Sequence, residues 1–259
     1  MDSRTDLRFR RLEGPGRRCF LLALDHGLPA GPLRGIERPA DLLRILRGTP
    51  VTGVILNPGL VPHVARELSS TLGLVVHLSA GTRLATHPTS KVPSSSVEHA
   101  VAIGADAVSV QIHFGDPTED RMLTHTGEVV DDATRLGVPV LVMAYVPAAG
   151  GEASSDADAT RHAVRAAAEI GASVVQTSYA GHSESLEAIV RGCPVPVLLA
   201  GGPRASSPDA WLDAIRAGLG AGAAGVSAGR NLFQHEDPAG FARRIGEIVF
   251  GTKSVAVAR

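Results

Sequence analysis

The amino-acid sequence predicts an α/β fold, a single (β/α)8 or TIM barrel, on three observations. The chain has 259 residues, the usual length of one such barrel. Short apolar runs recur about every 20 to 35 residues and alternate with segments of helical periodicity, the pattern of βα units with parallel strands. Three helix-to-strand connections contain a glycine, at Gly104, Gly137 and Gly171, which can take the left-handed conformation that ends a helix. A doubly wound open sheet is the alternative, but eight strands in this length favour a closed barrel.

Each strand is predicted from an apolar run that ends in polar residues, and each helix from the segment between two runs. The predicted strands are Phe20–Asp25, Gly53–Asn57, Leu74–Leu78, Ala107–His113, Pro139–Tyr145, Ser173–Ser178, Val195–Ala200 and Gly225–Ala228. The predicted helices include Arg38–Arg47, Ser96–Ile103, Glu119–Leu136, Asp156–Ile170, Ser183–Val190 and Asp209–Ala217. One barrel domain is therefore expected at residues 20–250, with an N-terminal extension at 1–19 and a tail at 251–259.

Composition narrows the class of protein. With 44% hydrophobic residues, 20% charged residues and a formal net charge of -1, the chain is typical of a soluble globular enzyme. Dispersed basic residues and only 3% aromatic residues argue against a nucleic-acid partner, and no apolar run reaches the ~18 residues of a membrane span. Cys19 and Cys193 form no disulfide or metal-binding pattern, and the arginine-rich N-terminus lacks an export signal. These features predict a cytoplasmic protein with no membrane partner.

Polar residues at the strand ends are the candidates for function, because a parallel barrel builds its site at the carboxyl ends of the strands. On the fourth and sixth predicted strands, polar residues alternate with apolar ones, so that a period of two places the polar set inside the barrel. The candidates chosen in this way are Asp25, His26, His113, Tyr145, Gln176 and Ser178. Each also has a structural interpretation, since a carboxylate can bind turn amides and inward histidines can hydrogen-bond internally. Zinc could use His77 and His113, but no spacing identifies such a site, so we predict neither a metal nor a cofactor.

Two glycine-rich loops at the ends of the last two predicted strands indicate a phosphate site. The first contains Gly201, Gly202 and Arg204, and the second contains Gly229 and Arg230. Glycine lets backbone N–H groups approach an anion, and a helix N-terminus with an arginine adds positive potential. Because these are the two loops that commonly bind phosphate in such barrels, we expect a phosphorylated small-molecule substrate.

Six sequence blocks together resemble a known family. They are Leu24–Gly27, Gly104–Ser109, Val174–Gly181, Gly192–Val197, Ala200–Pro203 and Gly222–His235. In these blocks the chain resembles the DhnA/FbaB-type class I aldolases, above all archaeal-type fructose-bisphosphate aldolases and 2-amino-3,7-dideoxy-D-threo-hept-6-ulosonate synthases. The resemblance implies a TIM barrel, a phosphate-binding site in the last two loops, an acid/base role for Asp25, proton transfer by Tyr145, and assembly into homo-oligomers.

The resemblance also implies an imine-forming lysine on the sixth strand, and this chain lacks it. Where the family has Val-Lys-Thr, the chain has Val175-Gln176-Thr177. The amide nitrogen of glutamine is delocalised and non-basic, so Gln176 cannot form a Schiff base. Of the two lysines in the sequence, Lys253 lies in the tail and Lys91 is expected at the surface.

The sequence therefore predicts aldol-type C–C bond formation or cleavage on a phosphorylated keto or sugar substrate, without the usual lysine imine. Hydrogen bonds or a metal would polarise the carbonyl instead, and Asp25 or Tyr145 would move the proton. One alternative is an isomerase, cyclase or dehydratase of a phosphorylated ketose-type intermediate, in which Gln176 donates a hydrogen bond to a substrate oxygen. The other is a non-catalytic paralogue that binds a phospho-sugar.

Overall fold

The computed structural model describes residues 2–147, 156–178, 183–202 and 204–251. Its strands are β1 Cys19–Ala23, β2 Gly53–Leu56, β3 Gly73–His77, β4 Ser79–Ala80, β5 Val92–Pro93, β6 Ala107–His113, β7 Val140–Tyr145, β8 Val174–Ser178, β9 Val197–Ala200 and β10 Gly225–Ala228. Eight parallel strands close into a barrel in the ring order β1-β10-β9-β8-β7-β6-β3-β2, while β4 and β5 form a separate antiparallel pair. The predicted (β/α)8 barrel is confirmed.

Helices alternate with the barrel strands. They are α1 Ser3–Phe9, α2 Gly27–Ala30, α3 Pro39–Ile45, α4 Val61–Val64, α5 Val97–Ala102, α6 Glu119–Leu136, α7 Ala157–Ile170, α8 Ser183–Arg191, α9 Pro208–Gly220, α10 Arg230–Phe233 and α11 Pro238–Phe250. Short 3-10 turns lie at Arg10–Leu12, Pro15–Arg17, Pro58–Leu60 and Ala65–Glu67. No helix within the described ranges is long and apolar enough to cross a membrane.

Local sequence signals account for several helix ends. Ser96 caps α5 by accepting a hydrogen bond from the backbone N–H of His99 at 3.2 Å. Gly137 and Gly171 end α6 and α7 with φ of 65° and 117°, and Gly104 follows α5 with φ of 100°. The three glycines predicted to terminate helices therefore all take positive φ values that other residues disfavour.

Because side chains alternate in direction along the barrel strands, the apolar residues form two layers, one inside the barrel and one between the sheet and the helices. One set of strand residues, including Leu21, Ile55 and Met143, forms the cluster inside the barrel. The residues between them, such as Phe20 and Val54, pack in the larger cluster between sheet and helices. The polar residues at the strand ends continue the same alternation, so those in register with the inner layer point into the barrel.

The N-terminal segment closes the amino end of the barrel. Phe9 and Leu12 are buried in the inner cluster, although they precede the first strand. A Cβ atom at Gly53 or Gly73 would lie 2.8 or 2.6 Å from Leu12 Cδ2, so these strands need glycine to admit that side chain. The domain limits remain a prediction; the expected tail lies outside the described residues apart from Gly251.

Candidate active site

A cavity of about 440 Å³ opens at the carboxyl ends of the barrel strands. Of the eleven predicted site residues, ten line it: Asp25, His26, His113, Tyr145, Gln176, Ser178, Gly201, Gly202, Gly229 and Arg230. Arg204 is exposed and is not part of the lining. The topology thus brings residues that are far apart in sequence into one site, and it leaves Arg204 beside that site rather than in it.

Asp25 and His26 occupy the turn that follows β1. His26 Nδ1 lies 3.3 Å from Asp25 Oδ1, although the two atoms are not aligned as a regular hydrogen bond. Burial raises the pKa of the Asp25 carboxyl, but the interactions with His26 and the electrostatic interaction with His77 outweigh burial and lower this pKa to about 2. Asp25 is therefore a carboxylate at neutral pH, able to accept a proton.

Tyr145 and Gln176 meet inside the barrel from neighbouring strands β7 and β8. Gln176 Nε2 donates a hydrogen bond to the Tyr145 hydroxyl oxygen at 2.6 Å. Burial raises the pKa of the Tyr145 phenol above its usual value, although the hydrogen bond from Gln176 opposes this shift. The phenol keeps its proton at neutral pH, and because its oxygen already accepts from Gln176, that proton is available to an oxygen in the cavity.

His113 ends β6 and also faces the cavity. Gln111 Nε2 lies 2.6 Å from His113 Nε2. Since an amide nitrogen can only donate, Nε2 of His113 accepts, and the proton of the neutral ring sits on Nδ1. Burial and the nearby charge of Lys91 lower the pKa of His113 to about 4, so the ring is neutral near pH 7.

His77, the other histidine considered as a zinc ligand, lies on β3. Its Nδ1 shares a 2.9 Å hydrogen bond with Ser109 Oγ, and burial lowers its pKa. Within the described ranges, no three His, Cys, Asp or Glu side chains are grouped so that they could hold a metal ion.

The loops after β9 and β10 are tied to each other. Arg230 Nη2 donates to the carbonyl oxygen of Gly202 at 2.9 Å, and Asn231 Nδ2 donates to that of Gly201 at 3.0 Å. A Cβ atom at Gly229 would lie 2.5 Å from Cε1 of His26, so glycine at this position lets the second loop pack directly on the imidazole. The two glycine-rich loops and the Asp25–His26 turn form one continuous wall.

Lys91 corrects one expectation from the sequence, because it is not a surface residue. Its side chain is buried, with 7% of its area exposed, and it lines the same cavity. Burial lowers the pKa of its ammonium group, while Asp25 and Asp116 oppose this effect through their negative charges.

The hairpin of β4 and β5 is the reason that Lys91 is not at the surface. The connection between β3 and α5 runs from Leu78 to Ser96 and is far longer than the usual turn after a barrel strand. A connection of this length, containing the two prolines Pro88 and Pro93, was the available signal of a segment that folds over the site.

Comparison with known protein families identifies the chain's relatives. Residues 19–235 match the model described as "DeoC/LacD family aldolase". The chain is 39% identical over 232 residues to a 2-amino-3,7-dideoxy-D-threo-hept-6-ulosonate synthase of Halobacterium salinarum, covering 90% of this chain and 86% of that protein. It is 36% identical over 242 residues to a 2-amino-4,5-dihydroxy-6-oxo-7-(phosphonooxy)heptanoate synthase of Streptomyces griseus, covering 93% and 88%.

Solved structures agree with these matches. An archaeal fructose-1,6-bisphosphate aldolase, with its catalytic lysine covalently bound to a carbinolamine intermediate, superposes with a TM-score of 0.86 at 28% identity, covering 96% of this chain and 100% of that one. The match of the family model over most of the chain, together with these relatives, places the protein in an enzyme class of aldolases and synthases. The chain belongs to the DeoC/LacD family of aldolases.

Proposed function

We propose that this protein catalyses aldol-type C–C bond formation or cleavage on a phosphorylated carbonyl compound, without an imine at position 176. The observation that carries the proposal is that Asp25, Tyr145 and Gln176 line one cavity with both glycine-rich loops and Arg230. The names of the relatives point the same way, since the synthase of Streptomyces griseus is named for a phosphorylated oxo acid and an archaeal relative for a sugar bisphosphate.

The phosphate is assigned to the wall formed by the loops after β9 and β10. Glycine at positions 202 and 229 carries no side chain that would keep an anion from the backbone, whereas the N–H of Gly201 already donates to the carbonyl oxygen of Ser227 at 3.3 Å. Arg230 supplies positive charge, and Ser178 at the end of β8 supplies a hydroxyl group beside the same wall. A phosphate bound here places the adjacent carbon atoms next to β8, where Gln176 and Tyr145 meet.

Proton transfer is assigned to Asp25 and Tyr145. In the cleavage direction, the Asp25 carboxylate accepts the proton of the hydroxyl group on the carbon that becomes the aldehyde, and the C–C bond electrons move toward the ketone. Tyr145 donates its hydrogen bond to the ketone oxygen as negative charge develops there. His26 holds Asp25 in its ionised form, and His113 faces the same space from β6.

Gln176 does not act as a nucleophilic amine would, but through its hydrogen bonds. Its Nε2 donates to Tyr145, and its buried Oε1 has no hydrogen-bond partner among the described residues. The free oxygen can accept a hydrogen bond from a substrate hydroxyl group, and the amide orients the phenol. This arrangement also suits proton-transfer isomerisation or cyclisation of a phosphorylated ketose, which needs an acid and a base but no covalent amine.

The test is to follow ketose phosphates and sugar bisphosphates with the purified protein by NMR in deuterated water. Aldol chemistry predicts cleavage or condensation products together with exchange of the proton beside the carbonyl. Exchange or isomerisation without any change in the carbon skeleton would support the second function. Binding without exchange or turnover would indicate a phospho-sugar-binding paralogue, and absence of binding would contradict the phosphate site itself.

A further inference from the structure

Four polar side chains form a row inside the barrel, at the ends of β1, β2 and β3 and within β6. His77 and Ser109 are paired in the register of β3 with β6. The registers of β1 with β2 and of β2 with β3, continued past the strand ends, set Asp25 beside Asn57 and Asn57 beside His77. Each of the four follows a member of the apolar cluster inside the barrel by two residues, so all point inward. We call these four residues the inner row.

Three members of the inner row lie beneath the cavity rather than in its lining. Asn57, His77 and Ser109 are buried, and none of them lines the cavity. Asp25, at the end of the row, does line it. We therefore expect the three buried members to affect a bound substrate through the Asp25 carboxylate and not by contact.

Ser109 determines which nitrogen of His77 carries the proton. The two side chains share a hydrogen bond of 2.9 Å between Oγ and Nδ1. A buried hydroxyl group needs an acceptor for its own proton, and Nδ1 of His77 is the acceptor that the described residues offer to Ser109. Burial lowers the pKa of His77, although the charge of Asp25 opposes this effect, so the ring is neutral near pH 7. Ser109 then donates, Nδ1 accepts, and the ring proton lies on Nε2.

Two acceptor atoms without a donor lie on the other side of His77. Asn57 Nδ2 donates to the backbone carbonyl oxygen of Asp25 at 2.9 Å, which leaves Asn57 Oδ1 as an acceptor. This atom and Asp25 Oδ1 are both buried with no hydrogen-bond partner among the described residues. Since β6 and β2 flank β3, an imidazole whose Nδ1 binds Ser109 on β6 directs Nε2 away from β6, toward β2 and β1. The positive end of the ring dipole therefore lies on the side of these two oxygens.

Titratable groups surround Asp25, and His77 acts on it from beneath. His26 lies beside the carboxylate, with 3.3 Å between nitrogen and oxygen, while Lys91 and Tyr145 interact with it from the cavity lining. Against the effect of burial, His26 and His77 lower the pKa of the Asp25 carboxyl. Because His77 lies outside the cavity lining, its interaction with Asp25 persists when a substrate occupies the cavity.

We propose that His77, with its tautomer set by Ser109, is a positioning residue that keeps the Asp25 carboxylate ionised and oriented for proton transfer. The inference rests on the proposed function, because Asp25 is the base in that reaction. Oδ1 of Asp25 is the oxygen buried against the row. The attraction of the imidazole N–H therefore acts on Oδ1, and Oδ2 is left to accept the proton of a substrate hydroxyl group.

The first measurements need no substrate. In the native protein with isotopically labelled histidine, NMR correlations between ring nitrogens and carbon-bound protons should show His77 Nε2 protonated and Nδ1 unprotonated. In Ser109→Ala the two tautomers should mix, because Nδ1 loses its donor. Carbon NMR of the Asp25 carboxyl, followed from neutral to acidic pH, should show its pKa about one unit higher in His77→Phe than in the native protein.

Kinetics of the aldol reaction provide the second measurement. His77→Phe keeps a ring but has no N–H, so kcat should fall by about 10- to 100-fold while KM changes by less than about twofold. His77→Gln, whose amide retains an N–H, should keep part of the activity. Ser109→Ala should lower kcat less than His77→Phe does, and should add nothing in the His77→Phe background because it acts through His77. Thr126→Val is the matched control, since it removes a fully buried hydroxyl group that donates to Met122 within α6.

A native His77 ring protonated on Nδ1 would overturn the inference, and this result does not depend on any variant folding. An Asp25 titration that is the same in His77→Phe as in the native protein would overturn it as well, as would equal losses of kcat in His77→Phe and Thr126→Val. The two proposals fail separately. A shifted carboxyl in a protein without aldol activity would leave the inner row intact and remove the proposed function, whereas turnover with an unshifted carboxyl would do the reverse.

Discussion

The side-chain amide of Gln176 donates a hydrogen bond to the phenolic oxygen of Tyr145, with 2.6 Å between nitrogen and oxygen. The bond joins two neighbouring strands at the cavity, where Gln176 is buried and Tyr145 is partly buried. The sequence resemblance predicts a lysine at position 176, and the amide that stands there occupies one acceptor position of the phenolic oxygen and so restricts the directions in which the phenol can donate its proton.

Replacing Tyr145 by phenylalanine tests this relationship. The change removes the proton donor and leaves Gln176 Nε2 without its partner, and an unsatisfied buried donor costs about 1–3 kcal/mol of unfolding free energy. We expect kcat of the aldol reaction to fall by about 10²- to 10⁴-fold, the usual contribution of a positioned acid. Denaturant unfolding and steady-state kinetics measure the two effects.

The double variant Tyr145→Phe with Gln176→Leu is the control. Removing both hydrogen-bonding groups eliminates the unsatisfied donor, so stability should recover while activity stays low. Full activity of Tyr145→Phe would show that the phenol has no part in proton transfer.

Introducing an amine at position 176 tests whether this residue faces the reacting carbonyl. In Gln176→Lys the new side chain is buried beside Tyr145, and burial favours the neutral amine that attacks a carbonyl. We expect a borohydride-trapped adduct with a ketose phosphate, mapped to position 176 by peptide mass spectrometry. Gln176→Met should give none. If the Gln176→Lys variant folds and still binds the ketose phosphate but remains unmodified, the carbonyl lies elsewhere.

Gly229 controls the position of His26. In Gly229→Ala the added methyl group would lie 2.5 Å from Cε1 and 2.9 Å from Nε2 of the imidazole, so the ring must shift from the position in which it contacts Asp25 at 3.3 Å. A displacement of about 1 Å in an active site can cost about 10²-fold in rate, and we expect kcat to fall by this order.

Gly127→Ala is the matched change for this experiment. It adds the same methyl group in the middle of α6, where nothing lies within 4 Å. A helix-interior alanine should raise the unfolding free energy by about 0.5–1 kcal/mol and leave kcat unchanged. If Gly229→Ala behaves like Gly127→Ala, the contact between the loop and His26 does not matter for catalysis.

Arg230 and Arg204 distinguish a residue in the phosphate wall from one beside it. Arg230 lines the cavity and bonds to Gly202, whereas Arg204 is exposed and outside the lining. Arg230→Ala should weaken binding of a phosphorylated ligand by about 10- to 100-fold, with little effect on its unphosphorylated analogue. Arg204→Ala should change neither affinity by more than twofold, about 0.4 kcal/mol. Equal losses in both variants would contradict the assigned wall.

Most of the fold could be predicted because its signals are local and periodic. The alternation on β6 between inward polar and outward apolar residues determined that Gln111 and His113 face the interior. Glycine at the helix ends and at the last two loops was equally informative, because few other residues take those conformations or permit such close approach. Because a parallel barrel builds its site at the carboxyl ends of its strands, Asp25, Tyr145 and Gln176 were predicted to lie close together.

Contacts between separate loops are not encoded in the periodicity of the sequence, and the position of Lys91 was predicted wrongly for this reason. Lys91 is buried because a two-stranded hairpin folds over the barrel mouth, and the bond from Thr89 to Asp116 that anchors it joins separate loops. Arg204 follows the glycine pair in sequence, but being adjacent to a phosphate loop does not determine which way a long side chain points. The sequence alone does not show that Gln176 Oε1 lacks a hydrogen-bond partner among the described residues, nor which nitrogen of His113 carries the proton, because both depend on the side chains that surround them in the fold.

His113 should make the stability of the protein depend on pH between about 6.5 and 4. Burial and the charge of Lys91 lower its pKa to about 4 in the folded state, against 6.5 when unfolded, and Asp116 opposes the shift. In this window the unfolded chain binds a proton that the folded chain does not, so the unfolding free energy decreases as pH falls. Above pH 6.5 this contribution is constant, because both states hold a neutral ring.

The size of the effect follows from the shift. At pH 5 the lost stability attributable to His113 is about 2 kcal/mol, on the basis of about 1.4 kcal/mol per pH unit below the unfolded pKa. In His113→Asn, urea unfolding measured from pH 7 to pH 5 should show a smaller loss of stability than in the native protein. Some dependence should remain, because burial also lowers the pKa values of His77 and His125. His63→Asn, which changes an exposed histidine, should reproduce the native slope. If His113→Asn shows the native slope as well, the imidazole is protonated as readily in the folded cavity as in water, and its assignment as a neutral donor is wrong.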